Sequence, residues 1–212
     1  RLDKNYVALI PAYKPGDYLL DLTVKLKEKG FSVVIVDDGS GADYADFFLA
    51  STCFAEVLHH SENMGKGRAL KTGINAISRY CTSDTVIVTV DADGQHCVED
   101  ALAICNIAQK APNTLVLGSR KLKENVPLRS KFGNTVTRFV YYISTGLKVH
   151  DTQTGLRAFR AELIPVLRDI PGERYEYEMN YYFVLPVIRF GFWSMRLKRS
   201  ILIIMPSLIL IR

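Results

Sequence analysis

The sequence predicts an α/β fold: a doubly wound, mostly parallel sheet with helices on both faces. Three observations point there. Strand-like and helix-like patterns alternate from residue 6 to residue 120, as in chains of βαβ units. The strongest strand pattern, Val86–Val90, is an unbroken β-branched run, which suits a strand covered on both faces. Two strand patterns also run straight into carboxylates, Asp37-Asp38-Gly39-Ser40 and Asp91-Ala92-Asp93-Gly94-Gln95. Open α/β sheets bind ligands at that carboxyl edge.

The elements follow in order. Tyr6–Ile10 reads as a strand, broken by Pro11-Ala12-Tyr13-Lys14-Pro15-Gly16. Asp17 is placed to cap a helix that runs to Lys29, with Leu19, Leu20, Leu22, Val24 and Leu26 as its buried stripe and Gly30 as its stop. Phe31–Val36 is a second strand, residues 43–50 a helix, and Ala55–His59 a weaker third strand. Asn63-Met64-Gly65-Lys66-Gly67-Arg68 opens a helix that reaches Tyr80. Lys66 and Arg68 beside its free N–H groups form a ready anion site, or else a solvated basic face. It is not a Walker A loop, because no Ser or Thr follows Gly-Lys. After the central strand come a helix at 98–110 and a strand at Thr114–Gly118, then a basic loop over the strand ends from Lys121 to Lys131. Residues 132–146 read as helical, His150–Gly155 as a polar loop, Leu156–Phe159 as a short strand and Ala161–Arg168 as a helix. Glu173-Arg174-Tyr175-Glu176-Tyr177-Glu178 opens the last patterned helix.

A chain of 212 residues with 48% hydrophobic and 23% charged residues can bury a sizeable core. The net charge of +5 and pI near 9.0 favour anionic partners. Nucleic acid is the weakest of these, since the basic residues are scattered and no aromatic-interleaved basic motif occurs. Four cysteines without metal-finger spacing read as reduced thiols of a cytoplasmic protein. No signal peptide pattern is present, and the sequence begins at Arg1 without Met.

Asp91 and Asp93 lie two apart in extended chain and so point the same way. Two hard oxygen donors at a strand end suit Mg²⁺ or Mn²⁺, ions usually shared with substrate phosphates. The competing reading makes them loop carboxylates that cap the helix near Val98. An EF-hand fails because its sixth and twelfth positions would be His96 and Leu102. A phosphatase-type Asp-x-Asp-Gly-Thr fails at Gln95.

Taken together, Ile10-Pro11-Ala12-Tyr13, Val36-Asp37-Asp38-Gly39-Ser40, Asn63-Met64-Gly65-Lys66-Gly67, Asp91–Gln95, Gly118-Ser119-Arg120, Asp151–Gly155 and Glu173–Glu178 come in one order over residues 6–180. In this the chain resembles the family 2 glycosyltransferases of the GT-A, Rossmann-like fold, and within them the dolichyl- and polyprenyl-phosphate mannosyl- and glucosyltransferases. The resemblance implies that Pro11, Ala12, Tyr13, Val36 and Asp38 hold the nucleotide, with Lys66, Asp91 and Ala92 beside it. It implies that Asp91, Asp93 and Gln95 hold the cation against the donor pyrophosphate. Arg120, Arg129 and Ser130 would receive the acceptor phosphate, and Asp151, Arg157 and Glu176 would line the sugar and acceptor side. One departure is Pro15, where the family often carries an acidic residue; a base or ribose contact is thereby lost or rearranged.

Breaking a sugar–diphosphate bond builds negative charge on the leaving nucleotide, which a held cation neutralises. The acceptor attacks from the opposite face, with inversion. A hydroxyl acceptor needs a general base, and Asp151 is the candidate, unless it is a simple turn residue. A lipid phosphate, with a second pKa of about 6, is already ionised and needs only positioning by arginines such as Arg120. The implied activity is hexose transfer from a UDP-glucose or GDP-mannose type donor to a polyprenyl phosphate, by a peripheral protein at the inner membrane face. Transfer to a saccharide hydroxyl and an inactive nucleotide-binding module are the alternatives.

Residues 1–180 thus read as the catalytic domain and 181–212 as an atypical tail. From Leu185 to Arg212 no acidic residue occurs. A family-like ending of Tyr-Ile-Asn-Asn-Asn-Ala, read one nucleotide out of register, becomes Ile-Leu-Ile-Ile-Met-Pro, the sequence at 201–206. A frame-shifted end is therefore the leading expectation. A membrane-contacting basic tail and ordinary core packing are the others; Ile201–Ile211 is far short of the roughly 20 residues a spanning helix needs.

Overall fold

The computed structural model describes residues 5–94, 96–120, 155–184, 194–196 and 200–206. Eight strands form one sheet: β1 (Tyr6–Ala12), β2 (Ser32–Asp37), β3 (Glu56–His59), β4 (Val86–Thr89), β5 (Thr114–Arg120), β6 (Arg157–Arg160), β7 (Ser194–Arg196) and β8 (Ser200–Pro206). The helices are α1 (Tyr18–Glu28), α2 (Ala45–Ser51), α3 (Lys66–Ile77), α4 (Val98–Ala108), α5 (Ile164–Asp169) and α6 (Tyr175–Val184).

The sheet order is β3-β2-β1-β4-β6-β5-β8-β7. β1 lies between β2 and β4, parallel to both, and β3 extends the parallel set beyond β2. β6 is inserted against the grain, antiparallel to β4 and to β5, so β5 runs the same way as β1–β4. The order turns about β1: its two neighbours lead outward in opposite directions. That switch point opens a crevice at the carboxyl ends.

Alternation along each strand divides the core between the two faces. Val7, Leu9, Val34, Val36 and Ile87 pack with Leu70 and Ile74 of α3 and with Tyr177 and Tyr181 of α6. On the other face Ala8, Ile10, Ile35, Val86 and Val88 pack with Leu19 and Leu26 of α1 and Ile104 of α4. The buried stripe of α1 is Leu19, Leu22, Thr23 and Leu26, so Thr23 takes a place expected for Leu20 and Val24. Its hydroxyl donates to the Leu19 carbonyl at 2.7 Å, which satisfies it within the apolar layer. Asp17 stands at the start of α1 but makes no side-chain cap; its backbone is already helical, and a side-chain cap needs an extended N-cap residue.

The apolar run after residue 200 supplies a strand. β8 pairs antiparallel with β5 along its whole length, from Thr114 opposite Pro206 to Arg120 opposite Ser200, and β7 pairs with β8 at the edge. The basic loop expected from Lys121 to Lys131 and the helix expected at 132–146 lie outside the described residues.

Candidate active site

The carboxyl ends of β1, β2 and β4 surround a cavity of about 810 Å³. Pro11, Ala12 and Tyr13 line it from the end of β1, Asp38 from the end of β2, and Asp91, Ala92 and Asp93 from the end of β4. Lys66 enters from the first turn of α3, and Arg174 and Tyr175 from the start of α6. Eight residues that the sequence assigned to nucleotide or metal thus line one cavity, two of the three proposed metal ligands among them.

Asp91 is the most constrained of these groups. Its Oδ1 lies 2.6 Å from the Lys66 Nζ, and its Oδ2 lies 3.9 Å from the Nε2 of buried His96. Burial alone would push the Asp91 carboxyl up, but His96 and the Lys66 ammonium outweigh it and hold the group well below the usual carboxylate range. The carboxylate is pressed against Gly155, where an added Cβ would come within 2.1 Å of either oxygen. The Thr89 hydroxyl donates to the Gly155 carbonyl at 2.9 Å and pins that backbone in place. No other residue type fits there without moving Asp91.

Lys66 does not face the cavity as an open anion site. Its ammonium also reaches the Glu178 Oε2 at 2.8 Å. Burial opposes its charge, yet Glu178 and Asp91 together hold its pKa above the ordinary lysine value. Glu178 in turn pairs with Arg157, whose guanidinium lies 5.4 Å from the centre of the Tyr181 ring. Arg68 is likewise turned away: its side chain pairs with Glu173 at 2.6 Å, and its backbone N–H donates to the Glu173 carbonyl at 2.8 Å. The expected anion-binding first turn of α3 is therefore largely satisfied by α6 and the residues before it. Opposite charge was available nearby, and exposed N–H groups near other backbone are used by it.

Asp38 is buried and works as a clamp. Its oxygens accept from the backbone N–H groups of Met64 at 2.9 Å and Gly65 at 2.8 Å, and the His60 ring sits 2.8 Å away. Gly65 is in the left-handed region at φ +102°, and an added Cβ would meet the Glu173 carbonyl at 2.6 Å. The loop that delivers Lys66 is thus fixed from both sides. Val36 is fully buried, with its side chain in the core.

Of the acceptor-side residues, Arg157 begins β6 at the same sheet edge but is buried behind Glu178. Glu176 is exposed and accepts from the Glu173 and Arg174 N–H groups at 3.1 and 3.2 Å. It caps the start of α6, and its own backbone amide, followed by those of Glu173 and Arg174, lowers its pKa. Gln95, Arg129, Ser130 and Asp151 lie outside the described residues, as does the side chain of Arg120, the last residue of β5. Sequence reasoning missed Glu178 and His96 as partners of the site. The partial signal was Glu176-Tyr177-Glu178: acids two apart on a helix do not share a face, but the spacing does not say which of them turns inward.

A mixed α/β sheet with its ligand cavity at a topological switch point is the architecture of the GT-A glycosyltransferases. The chain belongs to glycosyl transferase family 2, whose model matches residues 7–167. It is a glycosyltransferase, and its relatives include enzymes that act on prenyl phosphates. An uncharacterised protein of Methanocaldococcus jannaschii is 32% identical over 79% of this chain and 70% of its own length. The UDP-N-acetylglucosamine–dolichyl-phosphate N-acetylglucosaminyltransferase of Methanococcus voltae is 29% identical over 82% of this chain and 77% of its own. The polyprenol monophosphomannose synthase of Mycolicibacterium smegmatis is 33% identical over 62% of this chain and 52% of its own. Among solved structures, a mycobacterial protein superposes with a TM-score of 0.63 at 16% identity, covering 83% of this chain and 59% of the other. S. aureus TarS in complex with UDP-GlcNAc superposes at 0.51 and 16% identity, covering 85% and 54%.

Proposed function

We propose that this protein transfers a hexose from a nucleotide-diphosphate sugar, of the UDP-glucose or GDP-mannose type, to a polyprenyl phosphate at the cytosolic face of a membrane, with inversion and with Mg²⁺ or Mn²⁺ as cofactor. The observation that supports it best is the common cavity of Pro11, Ala12, Tyr13, Asp91 and Asp93. Nucleotide, diphosphate and cation would occupy one space of about 810 Å³, within the ordinary range for ligand sites.

The donor set fits a hard divalent cation. Asp91 and Asp93 line the same cavity, and Asp91 is held ionised. Such an ion takes one or two carboxylates and completes its shell with water and substrate phosphates. Among the described residues no three His, Cys, Asp or Glu side chains form a ready-made metal cage, so the donor's own oxygens would be needed. Asp91 and Asp93 would hold the ion, with Gln95 as a third ligand, and a cation bound there would stabilise charge on the departing diphosphate. Lys66 orients Asp91 and keeps it charged. Arg120, Arg129 and Ser130 would receive the acceptor phosphate, and Asp151 would serve as base if the acceptor were a hydroxyl.

Membrane contact would be peripheral: among the described residues no helix is long and apolar enough to cross a bilayer. Calorimetry with UDP and GDP, with and without Mn²⁺, tests the donor half. Mn²⁺-dependent binding of one nucleotide is expected, and its loss in Asp91→Ala. Radiolabelled donor offered with polyprenyl phosphate or with oligosaccharides tests the acceptor half; transfer only to the saccharide would overturn the lipid assignment.

A further inference from the structure

Behind the cavity wall lies a row of four charges of alternating sign. Asp91 stands at the cavity, Lys66 bridges it at 2.6 Å to Glu178 at 2.8 Å, and Glu178 pairs with Arg157. The last two side chains are only 8% and 1% exposed. Buried charges of this kind persist when each partner is neutralised in turn. The row has a consequence for Asp91, which lines the cavity together with Lys66. A lysine ammonium that served Asp91 alone would cancel its charge and compete with any cation. Here the ammonium is shared between two carboxylates, so only part of its charge falls on Asp91, which remains oriented.

We infer that Glu178 is a positioning residue for the donor-bound divalent cation: by holding Lys66 between itself and Asp91, it keeps Asp91 available to the metal. The inference rests on the metal-dependent reading of the site given above. Arg157 belongs to the same device. Its pairing with Glu178 fixes the side chain that divides the Lys66 charge.

The roles are separable by substitution. Glu178→Gln retains a carbonyl oxygen for Arg157 but loses the charge that draws Lys66 away from Asp91. Groups that orient metal ligands from behind change metal affinity by about 10–100-fold when altered. Glu178→Gln should therefore weaken Mn²⁺ binding by about tenfold, measured by calorimetry or Mn²⁺ electron paramagnetic resonance at saturating UDP or GDP. Nucleotide affinity without metal should be unchanged or tighter, because Lys66 is freer to meet phosphate. The deciding variant is the double substitution Glu178→Gln with Lys66→Gln. If Glu178 acts through Lys66, removing the competing ammonium restores Mn²⁺ affinity relative to Glu178→Gln alone. A merely structural Glu178 would make the double variant worse than either single one, and that result would overturn the inference. Should Glu178→Gln not fold, Glu178→Asp is measured instead; it keeps the charge at a greater distance, so a partial loss of Mn²⁺ affinity is expected and none would count against the role. A wild-type protein that binds neither nucleotide with Mn²⁺ would overturn both this inference and the proposed function. A wild type that does, with Glu178→Gln equal to it in Mn²⁺ affinity, would overturn the inference alone.

Discussion

Gly155 and Asp91 meet so closely that each defines what the other can be. Gly155→Ala would place a methyl group against the carboxylate; overpacking of this sort costs about 1–3 kcal/mol. The expected result is a lower Tm together with loss of Mn²⁺-dependent nucleotide binding, read by thermal unfolding and calorimetry on the same sample. Asp91 also marks the acid limb of stability. Its folded pKa is depressed, so its contribution is whole above the unfolded value of about 3.9 and is lost as pH falls from there towards the folded value. Below about pH 4 the Tm of wild type should therefore fall more steeply than that of Asp91→Asn, and parallel curves would contradict the assignment. Asp38→Ala removes the acceptor for two backbone amides and the partner of a buried histidine. A loss of about 2–3 kcal/mol is expected in chemical denaturation. β4 ends at Thr89 and Asp93 lies in a turn, so the strand's period of two does not aim Asp91 and Asp93, but at this scale their shared cavity just beyond a strand's carboxyl end was legible. Glu178 was not, since which acid of Glu176 and Glu178 turns inward depends on how α6 is rotated, and that is set by burial of Tyr177 and Tyr181 against α3 and α5.

Among the elements, α6 shows where a motif's chemistry and its architecture part. Its start is built by Glu176, which accepts from two backbone amides, while the preceding Glu173 ties the same turn to Arg68 and Lys71 of α3. Glu176→Ala is expected to lower the Tm by removing this cap; loss of the proposed transfer at unchanged Tm would instead favour the acceptor-side role that the family resemblance implies. Six of the eight strands were legible in place from their apolar runs, and the parallel half from the helices between them, whereas β7 and β8 fall in the stretch read as an atypical tail. The direction of β6 was not. Apolar character makes a strand, but whether it runs with or against its neighbours depends on the path of the chain from β5, which strand composition does not encode. The Asp17 cap failed for a related reason: residue type favours a cap, yet a backbone already helical at that position cannot present one.

For the molecule as a whole, the reading of residues 181–212 as a separate tail meets a sheet in which β8 covers the full length of β5. Ending the chain after Val184 would leave β5 an open edge, and open apolar edges recruit other chains. Such a truncation should aggregate, as light scattering would detect. The proposed shift of reading frame is decided by the coding DNA: a polar, family-like ending in a neighbouring frame is expected, and none in either frame would dispose of it. The fold and the cavity at the strand ends were readable because they follow from local patterns repeated along the chain. The partners of α6 were not, because they join residues far apart in sequence. One detail of the topology bears on how such an enzyme diversifies. β5 departs at Arg120 and the chain returns at Gly155, both on the rim where Asp91 stands. The two flanking positions therefore stand at the edge where the donor is proposed to bind. If the proposed acceptor residues Arg129, Ser130 and Asp151 act as suggested, transplanting residues 121–154 from a relative should redirect which acceptor is glycosylated and leave the UDP and GDP titrations as they were; a shifted nucleotide affinity would show that the segment and the cavity are not independent.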